Sequence, residues 1–282
     1  MPRARHHATS DATSTLSDRT KERIKSHLKE FIQKLIAQST SSEISMERQP
    51  PRDGDTLKPF HEAILPPSVR AVSQFERSFS TRLGSTFEEC ALIIAEQYHN
   101  EAQRNYKIQE EVSKAALEEI DAQVRNFESI ATQGQRLTFD QMVKAVLAKA
   151  SSEPTIKVQV TADLYVRRKD GTEMFFEIKS PQPNKGQCLE VTQRLLRIHL
   201  VCKKTRPEVQ AYFAMPYNPY GESREKYQWN YAMNYTPFEE VVLIEAEFWN
   251  LIGGRSTYQE LLAIYRDVGQ EYEREILKAF RL

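Results

Sequence analysis

An α/β (α+β) chain, with a mixed sheet of about five strands flanked by helices and a helical region before it, is predicted by three features of the sequence. Apolar side chains recur at helical spacing through roughly the first 150 residues. At Pro154 the pattern changes, and Ile156, Val158 and Val160 alternate with polar residues as in a strand. Two more strand-like runs, 208–214 (EVQAYFA) and 241–246 (VVLIEA), come after a further helical segment. There is no internal repeat.

The first helix is expected over 17–37, where Ile24, Leu28, Phe31, Ile32, Leu35 and Ile36 share a face. Residues 38–56 read as a linker, rich in Ser, Pro, Asp and Gly. Ser68 can cap a short helix over 69–80, and Ser85-Thr86-Phe87-Glu88 has the form of a capping box opening a helix to about Tyr106. The acidic stretch 107–129 reads as a solvated helix. Thr138 to Gln141 caps another, with Phe139, Met142, Val143, Val146 and Leu147 on one side. The first strand is expected to run to about Arg168, turn at Asp170-Gly171 and return from Met174 to Lys179, a hairpin signal. A helix from Gln187 to Lys203 and a last one from Tyr258 onward complete the series. The division expected is an N-terminal helix and linker over 1–56, then one domain over 57–282, helical to 150 and sheet-based over 151–282.

Composition removes several classes. No run approaches the roughly 18–20 apolar residues of a membrane span, and the N-terminus reads as a polar tail without the apolar core of a secretory signal. Cys90, Cys188 and Cys202 are scattered and lack metal-ligand spacing, which fits a reducing, cytoplasmic setting and three buried thiols. None of the six histidines stands in a metal or nucleophile-activating pattern. Net charge is zero, yet residues 161–206 hold ten Lys and Arg against five Asp and Glu, and residues 96–128 hold four against eight. A positive segment in a neutral chain suits a site that faces phosphate.

That segment contains the one constellation that carries chemistry. In a strand, residues two apart share a face, so Glu177 and Lys179 point one way, with Phe176 and Ile178 turned to the core. Antiparallel pairing brings Asp163 beside them. Two carboxylates can hold Mg²⁺, which takes few protein ligands, while the ammonium orients water and neutralises charge on a phosphate undergoing hydrolysis. An exposed salt-bridged hairpin would show the same ExK. The paired Asp, the Asp-Gly turn and the basic helix directly after it favour the chemical reading.

Asp163…Glu177-x-Lys179 resembles the motif of the PD-(D/E)xK nucleases, with Ala162 where many members have proline. The segments EIKSPQPNKGQ (177–187), ERSFSTRLGSTFEE (76–89), MPYNPYG (215–221) and EFWNLIGG (247–254) resemble TdeIII-type restriction endonucleases across roughly residues 70–270. The resemblance implies a restriction-endonuclease-like core. It also implies Mg²⁺-dependent cutting of double-stranded DNA at a short palindrome, GGNCC-like, leaving 5′-phosphate ends. Asp163 and Glu177 would be the metal ligands and Lys179 the catalytic lysine. An acidic residue on a preceding helix often joins such sites; Glu88 is the first candidate and Glu89 the second, although a capping box alone would explain Glu88. The implied partners are a second copy of the chain, since a palindrome is two-fold symmetric, and a cognate DNA methyltransferase that protects host DNA. Whether dimers pair into tetramers is left open, and no membrane is involved.

Ser180, Gln182, Asn184, Lys185 and Gln187 follow the lysine on a loop stiffened by Pro181 and Pro183. They suit base edges or, equally, phosphate contact and capping of the next helix. Arg194 and Arg197 on that helix can meet guanine or backbone, or be solvated charge. The aromatic set Tyr212, Tyr217, Tyr220, Tyr227, Trp229, Tyr231 and Tyr235 is read first as core and dimer face, and second as a stacking surface. Two rival readings are a repair or structure-selective nuclease and a non-catalytic DNA-binding module.

Overall fold

The computed structural model of the protein describes residues 16–46, 67–131, 133–134, 137–151, 153–203, 206 and 208–279. These form two compact units. One comprises Leu16 and the described residues from Ala91 to Tyr258, and the other comprises those of Ser17–Cys90 and Gln259–Leu282.

The first unit holds a five-stranded sheet in sequence order: β1 (Glu101–Ser113), β2 (Thr155–Arg167), β3 (Glu173–Ile178), β4 (Val209–Met215) and β5 (Val242–Ile244). β1, β2 and β3 are antiparallel, while β3, β4 and β5 run parallel, so the sheet is mixed as expected. A parallel pair needs a crossover. The helix Lys185–Cys202 provides it between β3 and β4.

Helices are numbered α1 (Asp18–Met46), α2 (Pro67–Tyr98), α3 (Lys114–Ala131), α4 (Phe139–Ala148), α5 (Lys185–Cys202), α6 (Asn230–Tyr235), α7 (Phe238–Val241), α8 (Ala246–Gly253) and α9 (Thr257–Ala279). On one sheet face, α3, α4 and α5 enclose a core of Phe127, Met142, Phe175, Leu195, Leu196 and Phe213. On the other, Phe248 of α8 packs on Phe176 with ring centroids 5.5 Å apart. β3 is therefore covered on both faces, and Met174, Phe175 and Phe176 are fully buried. α4 starts as its sequence predicts, with Thr138 and Gln141 exchanging the two bonds of a capping box.

The second unit is helical, built from α1, α2 up to Cys90 and α9 from Gln259. Ile24, Leu28 and Leu35 of α1 are buried. Gln33 Nε2 donates to Tyr272 Oη at 2.8 Å, and Lys29 pairs with Glu271 at 2.7 Å. Leu28, Phe31, Leu35, Phe75, Phe79 and Val268 line an apolar cavity of about 290 Å³.

Four expectations are corrected. α1 continues to Met46, so 38–46 is helix rather than linker, and 47–56 lies outside the described residues. Residues 69–80 and 85–98 are one helix, with no capping box at Ser85; its hydroxyl donates to the Arg82 carbonyl at 2.8 Å. Gly84 and Ser85 disfavour helix by only about 1 kcal/mol or less each, which the burial of Thr86, Cys90, Ile93 and Ile94 outweighs. The stretch 107–129 is not one helix: β1 runs to Ser113 and α3 begins at Lys114. The region before 150 is therefore not wholly helical. β5 is also shorter than expected, because α8 begins at Ala246.

Candidate active site

The β2–β3 hairpin turns where Gly171 adopts φ +88°, a conformation that glycine enters without strain, and Asp170 Oδ1 accepts from Thr172 N at 2.9 Å. The ladder pairs Arg167 with Glu173 and ends at Leu164 with Phe176. Asp163 and Glu177 come next in register. Their strands are no longer bonded there; instead Asp163 Oδ2 accepts from Ile178 N at 2.8 Å. On the other side, Arg104 pairs with Leu164 and Tyr106 with Ala162, but no pair joins Asn105 to Asp163. Asn105 has φ +51°. Asp163 thus stands where both backbone ladders lack a pair, and its carboxylate takes over the bond to β3.

The three residues predicted to act together are together. Lys179 Nζ lies 2.6 Å from Glu177 Oε1 and 3.4 Å from Asp163 Oδ2. Arg194 of α5 donates Nη1 to the same Glu177 Oε1 at 2.7 Å and Nη2 to Glu190 Oε1 at 2.7 Å. Glu177 is only 1% exposed, and its Oε2 is buried without a hydrogen-bond partner. Burial first, and the Asp163 charge second, raise the Glu177 pKa above the ordinary carboxylate value, against the pull of Lys179 and Arg194. For Lys179, burial disfavours the charge, but Glu177 and Asp163 outweigh it and hold the pKa above that of a free lysine.

This donor set fits a hard divalent cation. An unpartnered buried carboxylate oxygen is costly, and Glu177 Oε2 is one such atom, on a side chain that shares the Lys179 ammonium with the Asp163 carboxylate. Among the described residues no group of three or more His, Cys, Asp or Glu gathers as a metal cluster. Two carboxylates are what Mg²⁺ commonly takes from a protein, the remaining positions going to water and substrate.

Beyond Lys179, the loop alternates. Pro181 and Pro183 are buried, while Ser180, Gln182 and Asn184 are exposed. Tyr227 Oη donates to the Pro181 carbonyl, and Trp229 Nε1 donates to the Pro183 carbonyl at 2.7 Å. Two members of the aromatic set therefore clamp this loop. Asn184 and Gln187 form the capping box of α5, Gln182 Nε2 donates to Tyr220 Oη at 2.9 Å, and Lys185 pairs with Glu128 at 2.5 Å. Part of the positive segment is thus balanced by the acidic stretch of α3. Arg197 has a buried Nε with no hydrogen-bond partner. Glu88 and Glu89 lie within α2, in the helical unit, and Glu88 is not the third residue of a cap.

Arg194, read from the sequence as a contact to guanine or backbone or equally as solvated charge, has its guanidinium on the Glu177 carboxylate, a pairing the sequence reading did not name. The readable signal was weak: Glu190 four residues earlier is an acceptor on the same helix face.

The sequence model of the family described as type II restriction endonuclease, HinfI, matches residues 20–269. The chain belongs to that family. It is 47% identical over 226 residues to the type II restriction enzyme HgiCII of Herpetosiphon aurantiacus, covering 80% of this chain and 82% of that one. HgiEI of the same organism is 47% identical over 228 residues, covering 80% and 81%. MjaII of Methanocaldococcus jannaschii is 25% identical over 213 residues, covering 71% and 55%. No solved structure matches. As a member of the family the chain is a type II restriction endonuclease, a site-specific hydrolase of double-stranded DNA, and such enzymes generally use divalent metal ions. Among the described residues no helix is long and apolar enough to cross a membrane.

Proposed function

We propose that the chain cuts both strands of DNA in a Mg²⁺-dependent reaction at a GGNCC-like palindrome, leaving 5′-phosphate ends and acting as a homodimer beside a cognate methyltransferase. The target follows from the TdeIII-type resemblance of the segments around Glu177, Met215 and Glu247. The observation that carries the chemistry is the unpartnered buried Oε2 of Glu177, whose side chain shares the Lys179 ammonium with Asp163.

Asp163 and Glu177 would hold the ion. When bound, Mg²⁺ supplies a Lewis acid for the scissile phosphate and a lower pKa for the attacking water. Lys179 keeps its proton in this setting, so it acts as donor and counter-charge to the phosphate rather than as a resting base. Arg194 holds Glu177 in place through Oε1. Ser180, Gln182 and Lys185 are proposed to face DNA, with Asn184 and Gln187 shaping the loop through their cap and Arg197 available to the backbone. Glu88, or failing it Glu89, is proposed as a further acid of the site on the strength of the STFEE segment, and comparing Glu88→Gln with Glu89→Gln decides between them.

Digestion of a sequenced plasmid with Mg²⁺, followed by end mapping, tests the whole reading. Discrete fragments with 5′-phosphates at one palindrome are expected; smearing, or cutting only at junctions, would support a repair nuclease instead. Lys179→Ala should abolish cleavage, and unchanged Mg²⁺-dependent cleavage by that variant sinks the mechanism.

A further inference from the structure

Two strands end beside the catalytic one. Lys179 N donates to Ala214 O at 3.1 Å, and Glu245 N donates to Met215 O at 2.8 Å, so the segments leaving β3, β4 and β5 emerge along one edge of the sheet. Open α/β sheets hold ligands at the carboxyl ends of parallel strands. The segment leaving β4 is Pro216-Tyr217-Asn218-Pro219-Tyr220-Gly221.

This loop is fixed in the same manner as the one after Lys179. Trp249 Nε1 donates to the Pro216 carbonyl at 2.7 Å, as Trp229 does to Pro183. Asn218 N donates to Glu245 Oε2 at 3.2 Å, and Asn218 Oδ1 accepts from Tyr220 N at 3.0 Å. Gln182 joins the two loops through Tyr220 Oη. Lys226 lies across Gly221, where an added β-carbon would come within 2.5 Å of Lys226 Cδ. Between these anchors Tyr217 is 38% exposed, one of the few large apolar-bodied side chains left on the surface among the described residues.

Glu245 adds an independent observation. It has φ +54° and ψ −120°, a region that strains any residue with a β-carbon, and is only 8% exposed. Glycine would enter that conformation freely, but glycine could not supply the carboxylate that holds Asn218.

We propose that Pro216–Gly221 is a second DNA-contacting loop, with the Tyr217 ring packing on the duplex and Glu245 as the residue that positions it. The inference rests on the reading that the edge bearing Lys179 faces DNA. A rigid aromatic ring with a polar tip can wedge against a base step or stack on an unpaired base.

Binding measured without turnover separates this proposal from the cleavage mechanism. Anisotropy of a labelled duplex carrying the mapped site, with Ca²⁺ replacing Mg²⁺, should show Tyr217→Ala weakened about tenfold or more and Tyr217→Phe within about twofold. Under Mg²⁺, Glu245→Ala should raise KM with kcat little changed, and Glu245→Gln, which keeps the acceptor, should restore KM. Thermal melting confirms that each variant is folded. Unchanged binding by Tyr217→Ala overturns the loop's role, and a kcat loss without a KM change in Glu245→Ala overturns the positioning role. A Tyr217→Phe loss equal to that of alanine overturns ring packing. If Lys179→Ala still cleaves, the mechanism fails while the loop result stands by itself.

Discussion

Arg194 and Lys179 share a single oxygen. Arg194 Nη1 lies 2.7 Å and Lys179 Nζ 2.6 Å from Glu177 Oε1, leaving Oε2 buried and unpartnered. Two cations hold one end of the carboxylate, and Lys179 also reaches Asp163 Oδ2 at 3.4 Å. The arrangement orients Glu177, and the two cations pull its pKa down against the burial that raises it.

Removing Arg194 should therefore act through Glu177. Its charge opposes the raised pKa, so Arg194→Ala lifts that pKa further and delays ionisation as pH rises. The acid limb of the pH–rate profile should move to higher pH, and activity at neutral pH should fall about tenfold to a hundredfold, the worth of one charge-assisted hydrogen bond. An unshifted acid limb would show that Arg194 does not act on Glu177.

Asp163→Asn keeps an oxygen for Ile178 N, which now donates to Oδ2 at 2.8 Å, so the hairpin should fold. Cleavage should drop by a factor on the order of a hundred or more. Mg²⁺ should raise the melting temperature of the unaltered protein and not that of the variant. An equal Mg²⁺ shift in both would remove Asp163 from the ion.

Asn105, opposite Asp163 in register though unpaired with it, has φ +51°. Asn105→Gly should be neutral or slightly stabilising, whereas Asn105→Val should cost about 1–2 kcal/mol, because β-branching opposes the left-handed region. Chemical denaturation measures both. If valine costs nothing, the left-handed geometry at 105 is not enforced.

Trp229→Phe removes the donor to the Pro183 carbonyl while keeping an aromatic ring. Stability should fall by about 1 kcal/mol, and cutting at near-cognate sites should rise as the loop loosens. A fragment pattern as clean as that of the unaltered enzyme argues against the clamp.

His199 is held neutral by burial, its pKa lowered from 6.5 to about 4. The unfolded chain takes up a proton as pH falls through 6.5, but the folded chain resists until about 4. Stability is therefore intact above 6.5 and declines between 6.5 and 4, by up to about 1.4 kcal/mol per pH unit. His199→Gln should flatten that decline in urea unfolding measured at pH 7 and pH 5. An identical slope in the variant would assign the decline to other groups.

Much of this molecule was legible because short-range rules govern it. Asp-Gly between alternating runs gives the β2–β3 hairpin, Thr138 with Gln141 gives the start of α4, and Glu177-x-Lys179 gives two side chains on one face. β1 was legible but misread. Tyr106, Ile108 and Val112 are the inward half of an alternation whose outward half, Lys107, Gln109 and Glu111, made the segment look like a solvated helix. An edge strand with one wet face has that composition.

By itself the sequence determined the local elements on either side of Asp170-Gly171 and the trio Asp163, Glu177 and Lys179, since strand period and turn chemistry act over a few residues. The tertiary structure alone decided that α2 runs unbroken through Gly84-Ser85, that Asp163 sits between two opened ladders, and that Arg194 reaches Glu177. Helix continuity depends on burial that offsets a small local penalty, and the reach of Arg194 depends on how the crossover helix returns over the sheet. Both are set by packing between segments far apart in the chain, which no window of neighbouring residues encodes.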